Sequence, residues 1–218
     1  MISKKNIIAH RGFWKIASEK NSLVAFERAF SNGYGVETDI RDLMGGLVVE
    51  HDLPDESALP ISAFFDCFKE HRQAGKLALN IKGDGLASVL KEKLDELQIT
   101  EYFCFDMSVP DTLQYLASKV TFYCRCSDLE PFVPLSRDRA GIWFDALMEG
   151  NADIEQAIEA LKRGEESCLV SPELHGRPYV SVWKDWKNRL EKETENILTD
   201  LAVCTDFPDD FDAFFNGD

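Results

Sequence analysis

The chain has 218 residues, 44% of them hydrophobic, with 15 Phe and 4 Trp, which is enough to bury a full core and argues against disorder. Its formal net charge of −15 disfavours nucleic acid and anionic membrane surfaces as partners, since both reward positive charge. The N-terminal apolar run, Ile7-Ile8-Ala9, is too short for a signal-peptide core, and no later run is long enough to insert into a membrane. With no export signal, Cys67, Cys104, Cys124, Cys126, Cys168 and Cys204 read as reduced core thiols, which predicts a cytoplasmic protein.

In chain order, Asn6 to His10 reads as a strand that ends on a polar residue. Apolar residues at helical spacing follow in SLVAFERAFSNG, with Asn21 or Ser22 as N-cap and Gly33 as stop. Gly35 to Ile40 is the second strand. Side chains alternate along a strand, so Glu37 and Asp39 share a face, where they repel unless a cation or a proton lies between them. A hard metal with His51-Asp52 nearby is one reading of this stretch, and a barrel rim paired to Arg41 is the plainer one. Gly45-Gly46 then turns the chain into Leu47 to His51, an excursion off the barrel end.

Pro60 to Gly75 has Ile61, Phe64, Phe65 and Phe68 on one helical face. Strands are expected at Lys76 to Lys82, Tyr102 to Asp106, Val120 to Cys124, Gly141 to Asp145, Ser167 to Ser171 and Leu201 to Thr205. Helices are expected at Leu86 to Leu97, after Pro110, at Asp153 to Arg163 and at Val182 to Glu195, with a looser segment around Pro131 and Pro134. Trp183 and Trp186, three apart, read as packing residues, His71 as a solvated residue near a helix end, and the acidic, Phe-rich tail as docked on the barrel.

Eight short apolar strands alternating with helices define an α/β chain and predict a (β/α)8 TIM barrel, one domain over residues 1–218. A doubly wound sheet would carry a Gly-rich loop after its first strand, and HRGFWK is not one. The C-terminal strand ends, where barrels place their sites, carry His10-Arg11, Glu37 and Asp39, Asn80 and Lys82, Asp106, Arg125, Asp145, Glu173 and His175, and Asp206.

The motifs IAHRG (Ile8 to Gly12), NSLVAF (Asn21 to Phe26), ETD (Glu37 to Asp39) and VVEHD (Val48 to Asp52) occur in order within the first 52 residues. Weaker ones follow in LNIK (Leu79 to Lys82), SPELHG (Ser171 to Gly176) and TDFP (Thr205 to Pro208). Together they resemble the glycerophosphodiester phosphodiesterase family, whose fold is a (β/α)8 barrel. The resemblance implies a hydrolase of lipid metabolism that cleaves a small-molecule phosphodiester into an alcohol and a phosphomonoester. On that analogy Glu37, Asp39 and the residue at Asn80 would hold one divalent cation, Mg²⁺ or Ca²⁺. His10 and His51 would act as the general acid/base pair, and Arg11 and Lys82 would bind the phosphate. Glu173 and His175 are possible pocket residues.

Two positions depart from the family pattern. Asn80 stands where a third acidic ligand is usual, so either Asp106 or Glu173 compensates or the metal site is weakened. Lys20 stands where a Glu is usual. Two alternatives follow: a phosphate-ester-binding protein with a degenerate metal site and little turnover, or lyase-type cleavage to a cyclic phosphate.

Overall fold

A computed structural model describes residues 2–130 and 140–217, so Pro131 and Pro134 lie outside the described residues. The strands are β1 (Ile7–His10), β2 (Gly35–Leu43), β3 (Gly46–Val49), β4 (Leu59–Pro60), β5 (Leu77–Ile81), β6 (Tyr102–Phe105), β7 (Tyr123–Cys126), β8 (Gly141–Phe144), β9 (Glu166–Val170) and β10 (Leu201–Thr205). All but β3 and β4 pair in parallel as a ring, β1-β2-β5-β6 on one side and β1-β10-β9-β8-β7 on the other. The parallel bridge Cys104–Phe122 joins β6 to the segment leading into β7 and closes the ring. The fold is therefore a (β/α)8 barrel. β3 and β4 form an antiparallel flap on the extension of β2, the excursion expected after Gly45-Gly46.

The helices are α1 (Leu23–Ser31), α2 (Ile61–Lys69), α3 (Ala87–Glu96), α4 (Val109–Ala117), α5 (Ile154–Lys162), α6 (Val180–Leu190), α7 (Glu195–Leu198) and α8 (Pro208–Asn216). Their starts follow local chemistry. Ser22 accepts the Ala25 N–H, Ser108 that of Asp111, and Asp153 those of Glu155 and Gln156, each satisfying a donor the helix leaves free. α2 stops at Lys69, short of Gly75. The His71 ring Nδ1 donates to the Cys67 carbonyl at 2.8 Å, taking the acceptor the next helical turn would use. His71 also contacts Ser31 Oγ at 3.1 Å, so it ties α2 to α1 instead of pointing into solvent. The helix expected over Val182 to Glu195 ends at Leu190, because Glu191 to Thr194 offers no apolar side chain to the barrel, and a separate short helix starts at Glu195. The tail forms α8, with Phe211 and Phe215 buried and Phe211 edge-on to the buried Trp183 at 5.1 Å.

Strand alternation divides the core in two. Outward-facing Ile7, Ala9, Val36, Ile40, Leu77 and Leu79 pack beneath the helices. Inward-facing Ile8, Ala78, Phe103, Phe105, Tyr123, Trp143, Cys168, Val170, Ala202 and Cys204 fill the barrel. Cys67, Cys104, Cys168 and Cys204 are free thiols, and among the described residues no helix is long and apolar enough to cross a membrane.

Candidate active site

The inward parity that buries Ile8, Ala78 and Cys204 continues up each strand and brings His10, Asn80, Lys82 and Asp206 to the mouth on the same face. Stacked pairs plug the barrel below, Phe103 on Tyr123 at 3.8 Å and Phe105 on Trp143 at 3.9 Å between centroids. Polar side chains therefore collect above an apolar floor. Register sets who meets whom: His10 lies beside Glu37, and Asp39 beside Asn80.

Glu37 and Asp39 are buried at 1% and 0% exposure. Burial, and then the neighbouring Asp39, raise the pKa of Glu37. Burial also acts to raise Asp39, but Lys82, Arg11 and the Asn21 amide outweigh it and hold Asp39 below the usual carboxylate range. The contacts are direct. Arg11 Nε lies 3.1 Å from Asp39 Oδ2, Lys82 Nζ 3.3 Å from Oδ1, and Asn21 Nδ2 donates to Oδ2 at 2.9 Å. Thr38, on the opposite face of β2, orients Asn21 by donating to its Oδ1 at 2.8 Å.

The turn after β1 is built for this contact. Arg11 and Gly12 both have left-handed backbone, φ +55° and +84°. That geometry lets the Arg11 N–H reach Glu37 Oε2 at 3.1 Å, and a Cβ on Gly12 would meet Ala25 Cβ at 2.8 Å.

His10 Nδ1 lies 2.7 Å from Asp206 Oδ1. A carboxylate can only accept, so Nδ1 donates this bond, and the other ring nitrogen, Nε2, lies 3.9 Å from Glu37 Oε2. His51 has the same arrangement with Asp52, at 2.9 Å from its Nδ1. It is more exposed and lines a cleft with Arg11, Lys20 and Asn21. Arg41 does not pair with Glu37 or Asp39. It donates to the His51 and Lys82 carbonyls, tying the two loops that carry those residues together.

Two buried oxygens at this centre, Asp39 Oδ1 and Asn80 Oδ1, accept no hydrogen bond. Hard divalent cations bind through oxygens, and these two, on cross-strand neighbours with Glu37 on the same face, suit one. Among the described residues no group of three or more His, Cys, Asp or Glu side chains is arranged to hold a metal, so a third protein donor here is an amide. Neither acidic substitute compensates for Asn80. Asp106 pairs with Arg125 at 2.7 Å, and Glu173 accepts from Ser171, Thr205 and the Asp206 N–H. Burial raises both carboxyls above their ordinary values despite these partners.

Glu173 thus reaches the centre through Asp206, as a brace. His175 pairs with Asp145 at 2.7 Å, and no contact joins it to the Glu37–Asp39 pair. Lys20 lies 4.0 Å from Asp206 Oδ2 and 4.4 Å over the Trp14 ring. Sequence reasoning had Asn21 as a helix N-cap candidate and Asp206 at a barrel strand end, and assigned neither a catalytic, phosphate or metal role. Asp206 sits 196 positions from His10, and the signal for it lay in the TDFP motif.

No family model matches this sequence, and no curated protein matches it. Among solved structures it is similar to a dihydropteroate synthase of Xanthomonas albilineans in complex with indole-2-carboxylic acid and 6-chloroguanine, at 9% identity and a TM-score of 0.47. That likeness covers 96% of this chain and 89% of the other. It says nothing of what this chain binds, and the fold assignment rests on strand order.

Proposed function

We propose that the protein is a metal-dependent phosphodiesterase that hydrolyses a small phosphodiester to an alcohol and a phosphomonoester. The observation that carries this reading is the arrangement around Asp39: two cations on one buried carboxylate, beside a histidine whose Nε2 lies 3.9 Å from Glu37. Glu37, Asp39 and Asn80 would hold Mg²⁺ or Ca²⁺, which when bound supplies positive charge to the non-bridging phosphate oxygens. Arg11 and Lys82 neutralise the same oxygens from the protein side. In hydrolysis the water oxygen bonds to phosphorus as one P–O ester bond breaks. One histidine of the His10/His51 pair takes the water proton and the other protonates the departing alkoxide. Asp206 keeps His10 in the tautomer that can take part.

The test is release of alcohol from a panel of glycerophosphodiesters by purified protein with Mg²⁺, Ca²⁺ or Mn²⁺. Release that stops on chelation and returns with metal supports the reading, and no release with any cation rejects it. Phosphorus NMR of the product separates hydrolysis from the lyase route, which leaves a persistent cyclic phosphate. A second reading, a phosphate-ester-binding protein without turnover, is favoured by the neutral Asn80 and by Arg11 and Lys82 already balancing Asp39. Normal turnover would end it. The free thiols Cys67, Cys104, Cys168 and Cys204 suit a reducing cytoplasm, and recovery of the native protein from an exported fraction would reject that placement.

A further inference from the structure

Exposed large apolar side chains gather at one end of the barrel. Ile16 follows β1, Met44 and Leu53 sit on the β3–β4 excursion, Leu129 follows β7, Met148 follows β8 and Val180 opens α6 after β9. All of these positions edge the mouth. Among the described residues, the loops that lead into β2, β5, β6, β7, β9 and β10 at the opposite end expose no large apolar side chain. Single exposed apolar residues are ordinary on a protein surface, but a one-sided set of them around an opening marks a contact face.

Met44 is the clearest member. It is 94% exposed, and with Gly45 it makes the two-residue turn from β2 to β3, at φ +50° and +84°. Such turns favour Asn-Gly, because both central residues need positive φ. A methionine there gains nothing in conformation and leaves nearly its whole side chain in water. Leu53, 87% exposed on the next loop, is equally unused by the fold.

The tips stand on separate loops, which suits a fluid apolar phase better than a protein partner, whose interface core is contiguous and closely packed. Exposed carboxylates stand beside them: Asp52 adjoins Leu53, Asp128 precedes Leu129 and Glu149 follows Met148. With a net charge of −15, that chemistry repels an anionic surface and suits one whose outermost groups are the cationic heads of zwitterionic lipids. From this we infer that the mouth of the barrel docks on a phosphatidylcholine-type phospholipid surface, with Met44, Leu53 and the other tips set among the headgroups. Such docking is peripheral and scales with the apolar area buried. It needs no bond-making at the mouth, so it holds whether or not the Glu37–Asp39 centre cleaves a diester.

Cosedimentation of the full chain with phosphatidylcholine vesicles tests it. The wild-type protein is expected to bind, and to bind less well to vesicles of equimolar phosphatidylcholine and phosphatidylglycerol. Full burial of one Leu or Met side chain strengthens binding by about tenfold or more, so Met44→Ser combined with Leu53→Ser should lower the partition coefficient by at least about tenfold. Both side chains lie outside the core, so the melting temperature should stay at its wild-type value. Leu116→Ser, near the end of α4 that is remote from the mouth, should change partitioning by less than about twofold.

No binding to phosphatidylcholine vesicles would overturn the docking, as would tighter binding to the anionic ones or a double variant that binds like wild type. A dimer that the double variant dissociates, without vesicle binding, would make the rim a contact between copies of the chain instead.

Discussion

Both ends of the barrel hold charge against its aromatic plug, but they treat it differently. At the floor, Glu166 accepts from Lys76 Nζ and from the Tyr123 hydroxyl, a closed set in which the charge has its partners. At the mouth, Asp39 and Asn80 each keep a buried oxygen without a hydrogen bond, although three cations or amides crowd round Asp39. Asp39 Oδ1 still has the Lys82 ammonium 3.3 Å away, whereas the Asn80 amide oxygen is left unpartnered, which costs free energy on the order of 1–3 kcal/mol. The floor has the marks of a structural network and the mouth those of a binding site.

His10→Gln should break the mouth most severely, lowering kcat/KM by ~10²–10⁴-fold. Its melting temperature should stay near wild type, and a loss under about tenfold would remove His10 from the chemistry. Asn80→Glu sharpens the contrast from the other side. A second carboxylate beside Asp39 should tighten Mg²⁺ or Ca²⁺ binding by about tenfold or more in titration calorimetry. Unchanged affinity would place the cation elsewhere.

At the floor, Glu166→Gln should leave kcat/KM within about twofold but cost roughly 1–2 kcal/mol in urea unfolding, because Lys76 and Tyr123 lose a charged acceptor at a half-exposed site. A large loss of activity instead would mean that the two ends are coupled.

The smallest effect concerns Asp128, whose carboxylate accepts the N–H groups of Glu149, Met148 and Leu147. These bonds push its pKa from the ordinary 3.8 down to about 2. The folded form thus binds its proton less readily than the unfolded form, so the stabilisation is full above 3.8 and disappears as pH falls toward 2. The melting-temperature gap between wild type and Asp128→Asn should be present at pH 7 and close across that window. A constant gap would assign the effect to something other than ionisation.

The legible part of this molecule was its local periodicity. Glu37 and Asp39 share the inner face of β2 as alternation requires, and the helix starts at Ser22 and Asp153 follow from capping chemistry. Arg41 shows where that reasoning stops. It has the same parity as the carboxylates, yet it reaches the His51 and Lys82 carbonyls, because the β3–β4 flap brings that loop within its range. Asn80 was readable as a departure, but not that its amide oxygen would be left unpartnered opposite Asp39.

Periodicity within each segment was enough to count the barrel strands and to orient their side chains inward or outward, while His10, Arg11, Glu37, Asp39 and His51 were ranked as site candidates by short motifs that resemble a known family. Those properties depend on neighbours a few residues apart, and the chain carries them wherever it folds. The tertiary structure alone decided that Asp206 holds His10 and that Lys82 and Arg11 converge on Asp39. These depend on strand register and ring closure, which bring together residues up to 196 positions apart, and no short-range pattern encodes that distance.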